Sequence, residues 1–231
     1  MGFLLLEGGA EFGRRMAEPD QQAIALAGGN AARIRIIPTA AAPDNNHQRA
    51  GNNGVRWFQS LGATNVAALP IIDHAAAADP HMADELRAAR LIYMLGGFPA
   101  YLAQTLAGSA CWRAAQEAYQ TGAVLAGSSA GAMALCEYLY DPQAGKIMAG
   151  LGAVPGCCVL PHHNTFGKSW AARLGKLLPA ATLLGIDERT GMLDDGTGDC
   201  WTVYGHGGVT IYHGEQTRAY GAGEQFMLHA D

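Results

Sequence analysis

The sequence predicts an α/β protein built in three layers, α/β/α, around a mostly parallel sheet with a β-rich C-terminal edge. Three observations carry this. Short apolar runs alternate with helix-like stretches up to about residue 182, and that alternation builds parallel strands with helices on both faces. Beyond it the runs become short, rich in β-formers and separated by Gly and Asp. At 231 residues, 49% hydrophobic and only 15% charged, the chain can bury one large core, and residues 1–231 read as a single domain.

The elements follow in order. Residues 3–6 read as a strand, followed by a Gly-rich turn and a helix at 19–27. Residues 34–38 form a second strand. A polar loop, Asp44-Asn45-Asn46-His47, then precedes a helix near 55–61. The strand at 66–72 leads to a helix at 79–89. The strand at 91–95 ends in Gly96-Gly97, ahead of a helix from Tyr101. A helix at 111–119 precedes the apolar run 123–126, and 157–160 is a further buried strand. In the tail, 182–186, 191–193, 200–204 and 209–212 read as strands that extend the sheet edge. The last two form a hairpin across Gly205-His206-Gly207-Gly208.

Composition removes several classes of function. A formal net charge of −5 offers no basic field for nucleic acid. The chain opens without a basic, apolar leader and has no apolar run of the roughly 18 residues a membrane span needs. A cytoplasmic protein is expected. Five cysteines, two of them adjacent, form no disulfide framework and read mostly as buried thiols.

The most informative stretch is Gly127-Ser128-Ser129-Ala130-Gly131. It fits the G-x-S-x-G pattern in which a serine stands on a sharp strand-to-helix turn. Glycines two residues before and after leave room for strained backbone. The helix start aims free N–H groups and a partial positive charge at any oxyanion formed there. Ser129 is the candidate nucleophile. The alternative is that Ser128 or Ser129 merely caps the helix.

A serine needs a base, and the base needs an acceptor to orient it. Pro161-His162-His163-Asn164 follows the strand at 157–160, at the same sheet edge as the turn if the strands are parallel. Glu188 follows the strand at 182–186, with a surface ion pair to Arg189 as its alternative role. Gly96-Gly97 could bring a second backbone donor close to the oxyanion beside that of Ala130.

Other matches fail on inspection. Gly8-Gly9-Ala10-Glu11-Phe12-Gly13-Arg14-Arg15 has the glycine spacing of a phosphate loop but lacks its Lys and Ser/Thr. His47, His74 and His81 lack H-E-x-x-H spacing, and there is no C-x-x-C. No cofactor and no metal are expected. His206, His213 and His229 read as surface residues of the tail.

Taken together, these fragments resemble the serine peptidase family of dipeptidase E and cyanophycinase, which shares its fold with class I glutamine amidotransferases. The resemblance spans nearly the whole chain. It rests on Gly96-Gly97, on Gly127-Ser128-Ser129-Ala130-Gly131-Ala132, on Pro161-His162 and on Gly185-Ile186-Asp187-Glu188. It implies Ser129 as nucleophile, His162 as general base, Glu188 as third member, and the Gly97 and Ala130 N–H groups as oxyanion hole. It also implies short peptides as substrates, cleaved as by an exopeptidase. Phe98, His163, Trp170 and Arg173 become substrate-binding candidates. Phe98-Pro99 stands where the family commonly has Asn, and Trp170 lies near the position of the arginine with which dipeptidase E reads an N-terminal aspartate, so strict aspartyl specificity is not implied. The only partners expected are a peptide substrate and, as an option, a second copy of the chain.

Two other readings remain open. An α/β-hydrolase esterase would pair Ser129 with Asp187 or Asp194 and with His206 or His213. A non-catalytic, amidotransferase-like module would bind a small ligand and need no nucleophile at all.

Overall fold

A computed structural model of the protein describes residues 1–228; His229 lies outside them. Strands β1 (Phe3–Glu7), β2 (Arg33–Ile37), β3 (Asn65–Ala68), β4 (Leu91–Met94) and β5 (Val124–Ser128) pair in parallel in the order β3-β2-β4-β5-β1. Beyond β1 the sheet continues antiparallel through β10 (Thr190–Asp194), β11 (Cys200–Gly205) and β14 (Gln225–Met227).

Period-two alternation divides the first sheet between two cores. Leu5, Ile34, Ile36, Leu91, Tyr93, Val124 and Ala126 face one side, while Leu4, Leu6, Ile92, Met94 and Leu125 face the other. The first side is covered by α1 (Ala17–Leu26) and α2 (His47–Ser60). The second is covered by α4 (Pro80–Arg87), α5 (Pro99–Leu106), α6 (Ala110–Gln120) and α7 (Ala130–Leu135). Two short elements, α3 (His74–Ala77) and α8 (Ala171–Leu177), complete the helices.

The strands do not form a single sheet. β6 (Cys136–Asp141), β7 (Lys146–Ala149), β8 (Val154–Leu160), β9 (Thr182–Ile186), β12 (Gly208–His213) and β13 (Gln216–Gly221) make a second sheet, in the order β13-β12-β9-β8-β6-β7. Its centre, β6-β8-β9, is parallel. The expected hairpin across Gly205–Gly208 is therefore corrected. β11 pairs with β10 and β14 in the first sheet, while β12 pairs with β9 and β13 in the second, so this turn passes from one sheet to the other.

α2 begins at His47, well before the expected 55, because its glycines are packing positions. A Cβ on Gly51 would lie 2.9 Å from Ala68 Cβ, and one on Gly54 2.8 Å from Ile36 Cδ1. Cys111, Cys136, Cys157 and Cys158 are buried free thiols, and Cys200 is partly exposed. Among the described residues no helix is long and apolar enough to cross a membrane.

Candidate active site

The turn after β5 has the geometry its sequence requires. Ser129 sits at φ 49° and ψ −108°, a region that L-residues seldom occupy. A Cβ on Gly127 would lie 2.5 Å from the carbonyl carbon of Gly131, and one on Gly131 2.2 Å from the carbonyl oxygen of Met94. Both glycines are thus set by close backbone approach. The Ser129 hydroxyl does not cap α7, and its own N–H donates to the Glu7 carbonyl at 2.9 Å. Ser128 turns away and donates to Glu11 Oε2 at 3.0 Å.

His162 follows β8, also at φ 49°. Its N–H donates to the Gly8 carbonyl at 2.7 Å. The imidazole fills the space beside Gly9, where a Cβ would lie 2.3 Å from ring Cε1. Its Nε2 stands 3.0 Å from Ser129 Oγ, and its Nδ1 stands 2.9 Å from Glu188 Oε1. The Glu188 N–H donates to Asn164 Oδ1 at 3.0 Å, and the Arg189 N–H to the Gly9 carbonyl at 3.0 Å. No Arg189 ion pair competes for Glu188 among the described residues. Hydroxyl, imidazole and carboxylate so form one hydrogen-bonded chain, able to take a proton from the serine and return it. The serine belongs to the first sheet, and the histidine and glutamate follow strands of the second. They meet because the β1 loop is hydrogen-bonded to both, rather than by sharing one sheet edge.

Gly97 (φ +136°) adopts a backbone that suits glycine, and a Cβ there would lie 2.2 Å from the Ala40 carbonyl oxygen. Its N–H has no acceptor among the described residues. Ala130 opens α7, where first-turn N–H groups have no partner within the helix. Gly96 lies against Ser129: a Cβ on it would lie 3.5 Å from Ser129 Cβ.

Among the four substrate-binding candidates, His163 faces the second sheet rather than Ser129. It is buried, with Nδ1 3.3 Å from Asp187 Oδ1 and Nε2 2.8 Å from Tyr212 Oη, and it packs on Gly185. Burial lowers its pKa, against the pull of Asp187. Phe98 starts α5 and lines a cavity of about 540 Å³ with Asp44, Gly97, Gln104 and Lys146. Trp170 reaches the His162 imidazole indirectly. Phe166 stacks on His162 at 4.9 Å, Trp170 packs on Phe166 at 5.5 Å, and Tyr140 packs on Trp170 at 5.0 Å. The Arg173 guanidinium lies over Tyr140 and donates to its Oη and to the Gly145 carbonyl. Sequence reasoning missed Phe166, whose only signal was an aromatic four residues after the histidine.

The residues of the esterase reading lie elsewhere. Asp187 is engaged by His163 and by the Gly208 N–H, and Asp194 accepts from the Leu4 N–H at 2.6 Å. His206 and His213 are exposed, with His213 Nδ1 at 3.0 Å from Thr182 Oγ1. Among the described residues no group of three or more His, Cys, Asp or Glu side chains is placed to hold a metal ion.

Beneath the turn at Ser129 lies a pair of buried acids that no sequence pattern singles out. Tyr93 Oη donates to Glu7 Oε2, and Trp57 Nε1 donates to Asp20 Oδ2 at 2.7 Å. That leaves Glu7 Oε1 and Asp20 Oδ1 buried without a donor, as expected of two carboxyls sharing one proton. Burial raises the Glu7 pKa well above the usual carboxylate range and raises that of Asp20 to about 7. A carboxyl whose folded pKa exceeds its unfolded one stabilises below the unfolded value. That contribution is lost as pH rises through the folded value. Between pH 4 and 7, Asp20 therefore favours folding at the acidic end. In Asp20→Asn this dependence is expected to flatten, read as the difference in Tm between pH 5 and pH 7.5. An unchanged pH profile would count against the shared proton.

The fold and the serine–histidine–glutamate chain at a strand-to-helix turn define the class: a serine-type peptidase. The chain belongs to peptidase family S51, whose family model matches residues 3–197. It is similar to the crystal structure of a peptidase from an acI-B1 Actinobacterium, at 32% identity and a TM-score of 0.89, over 99% of this chain and 97% of that one. It also shares its fold with a putative peptidase E protein from Listeria monocytogenes EGD-e, at 16% identity and a TM-score of 0.60, over 96% and 98% of the two chains. No curated protein matches the chain in sequence.

Proposed function

We propose that the protein hydrolyses short peptides as an exopeptidase, through an acyl-enzyme on Ser129. The observation that carries this reading is the continuous hydrogen-bonded path from Ser129 Oγ to His162 Nε2 (3.0 Å) and from His162 Nδ1 to Glu188 Oε1 (2.9 Å). His162 takes the hydroxyl proton as Ser129 Oγ bonds to the scissile carbonyl carbon. The resulting oxyanion is held by the Gly97 and Ala130 N–H groups. The C–N bond then breaks as His162 protonates the leaving amine. Water, deprotonated by the same imidazole, releases the acid and restores the hydroxyl. Glu188 fixes the imidazole tautomer and stabilises the imidazolium. The cavity beside Phe98 supports binding of a short peptide. Arg173 is already committed to Tyr140 and Gly145, so no aspartyl selectivity is proposed for it. The reaction needs no cofactor, and the site of action proposed is the cytoplasm.

Fluorophosphonate labelling followed by a dipeptide library tests this. Labelling is expected at Ser129 and is expected to disappear in His162→Ala but not in His206→Ala. Loss only in His206→Ala would replace this triad with the esterase arrangement. An unlabelled, fully folded protein would favour the binding module.

A further inference from the structure

A second cavity, of about 300 Å³, opens beside the nucleophile and is lined by Glu11, Asp44, Asn46, Asn53, Gly96 and Gly97, among others. Its lining includes two carboxylates and no cation. Glu11 is the carboxylate aimed at the reacting centre. Its Oε2 accepts from Ser128 at 3.0 Å, which orients the group. Its Oε1 points to Gly96, 2.9 Å from where a Cβ on that glycine would sit, while Ser129 Cβ is 3.5 Å from the same point. Anionic oxygen and nucleophile therefore flank a single glycine, and only a residue without a side chain leaves that passage open. In a peptide, the nitrogen of the residue whose carbonyl is attacked lies roughly 2.5 Å from the carbonyl carbon, two bonds away. Glu11 Oε1 and Ser129 thus lie close enough together for one substrate residue to touch both.

Building on the triad reading above, we propose that Glu11 binds the free α-ammonium group of the substrate's first residue. Cleavage is then confined to the first peptide bond. The preference comes from a charge-assisted hydrogen bond in a small, partly enclosed cavity, where an acylated nitrogen would leave Glu11 Oε1 without a cationic partner. A cavity of about 300 Å³ has room for little more than one residue at this end, in keeping with an exopeptidase.

The test compares unblocked dipeptides with their Nα-acetyl counterparts, in the wild type and in Glu11→Gln and Glu11→Asp. The glutamine keeps an acceptor for Ser128. In the wild type, kcat/KM is expected to favour the free amine. In Glu11→Gln that preference should fall roughly 10- to 100-fold, mainly through KM, with partial recovery in Glu11→Asp. Blocked and unblocked peptides cleaved equally by the wild type would overturn the proposal without any variant. A Glu11-dependent preference for Nα-acetyl-lysyl or Nα-acetyl-arginyl peptides would overturn it too, by giving the cavity to a basic side chain. Failure of the triad reading looks different: the wild type would not be labelled by fluorophosphonate at all.

Discussion

Ser129→Ala is expected to lower kcat by roughly four to six powers of ten, with the fold intact. In the proposed acyl-enzyme mechanism the hydroxyl is the atom that bonds to the substrate, and without it His162 Nε2 has nothing to deprotonate. The remaining rate would come from backbone donors and binding alone. Folding should be spared because the hydroxyl does not cap α7. The N–H bond to the Glu7 carbonyl survives, and alanine presents the same Cβ to the unusual φ. Steady-state kinetics on a dipeptide, with circular dichroism and Tm alongside, decide it. A variant with unchanged Tm and more than about one hundredth of the wild-type turnover would be incompatible with an acyl-enzyme at this position.

Gly131→Ala should distort the turn at Ser129 directly. The new methyl would lie 2.2 Å from the Met94 carbonyl oxygen and 2.8 Å from its carbonyl carbon. These atoms belong to the last residue of β4, which is paired with Gly127, and cannot rotate aside like a side chain. α7 would have to lift off the β4–β5 pair, carrying the Ala130 N–H out of line with Ser129. Overpacking of this kind costs about 1–3 kcal/mol or more, and a shift near 1 Å at the reacting centre costs about a hundredfold in rate. Gly175→Ala in α8 serves as the control, because a methyl there meets nothing within 4 Å. It should be neutral or stabilising by up to about 1 kcal/mol. Equal Tm and kcat for the two variants would show that the turn is looser than its contacts imply.

Much of the fold was legible because buried parallel strands read as continuous apolar runs. Those of β1, β4, β5 and β9 stand out against the helices between them. What escaped were features decided by non-local packing. No strand was expected between the turn at Ser129 and the strand at 157–160, yet Cys136–Asp141 forms β6 and pairs with β8. α2 carries too many Asn and Gly residues to look helical until Ala68 and Ile36 are seen against its glycines. Which of two sheets receives β11 or β12 is settled by partners far along the chain, and no local turn signal records it. The site was legible to the extent that its chemistry sits in short contiguous motifs. Ser129, His162 and Glu188 do meet. Glu7, Glu11, Asp20 and Phe166 were not legible, since a single acid or aromatic has no pattern to give it away. His163 turns from Ser129 because the chain bends at His162, whose positive φ sends the next side chain towards Asp187 and Tyr212.

The backbone at Ser129 also limits which residues could ever serve there. At φ 49° and ψ −108°, a side chain branched at Cβ would be forced against its own main chain. Threonine, although it too carries an alcohol, is thereby shut out, whereas cysteine has serine's unbranched shape. For the nucleophile proposed at this position, the conformation leaves a choice between oxygen and sulfur, but none in the carbon skeleton that presents it.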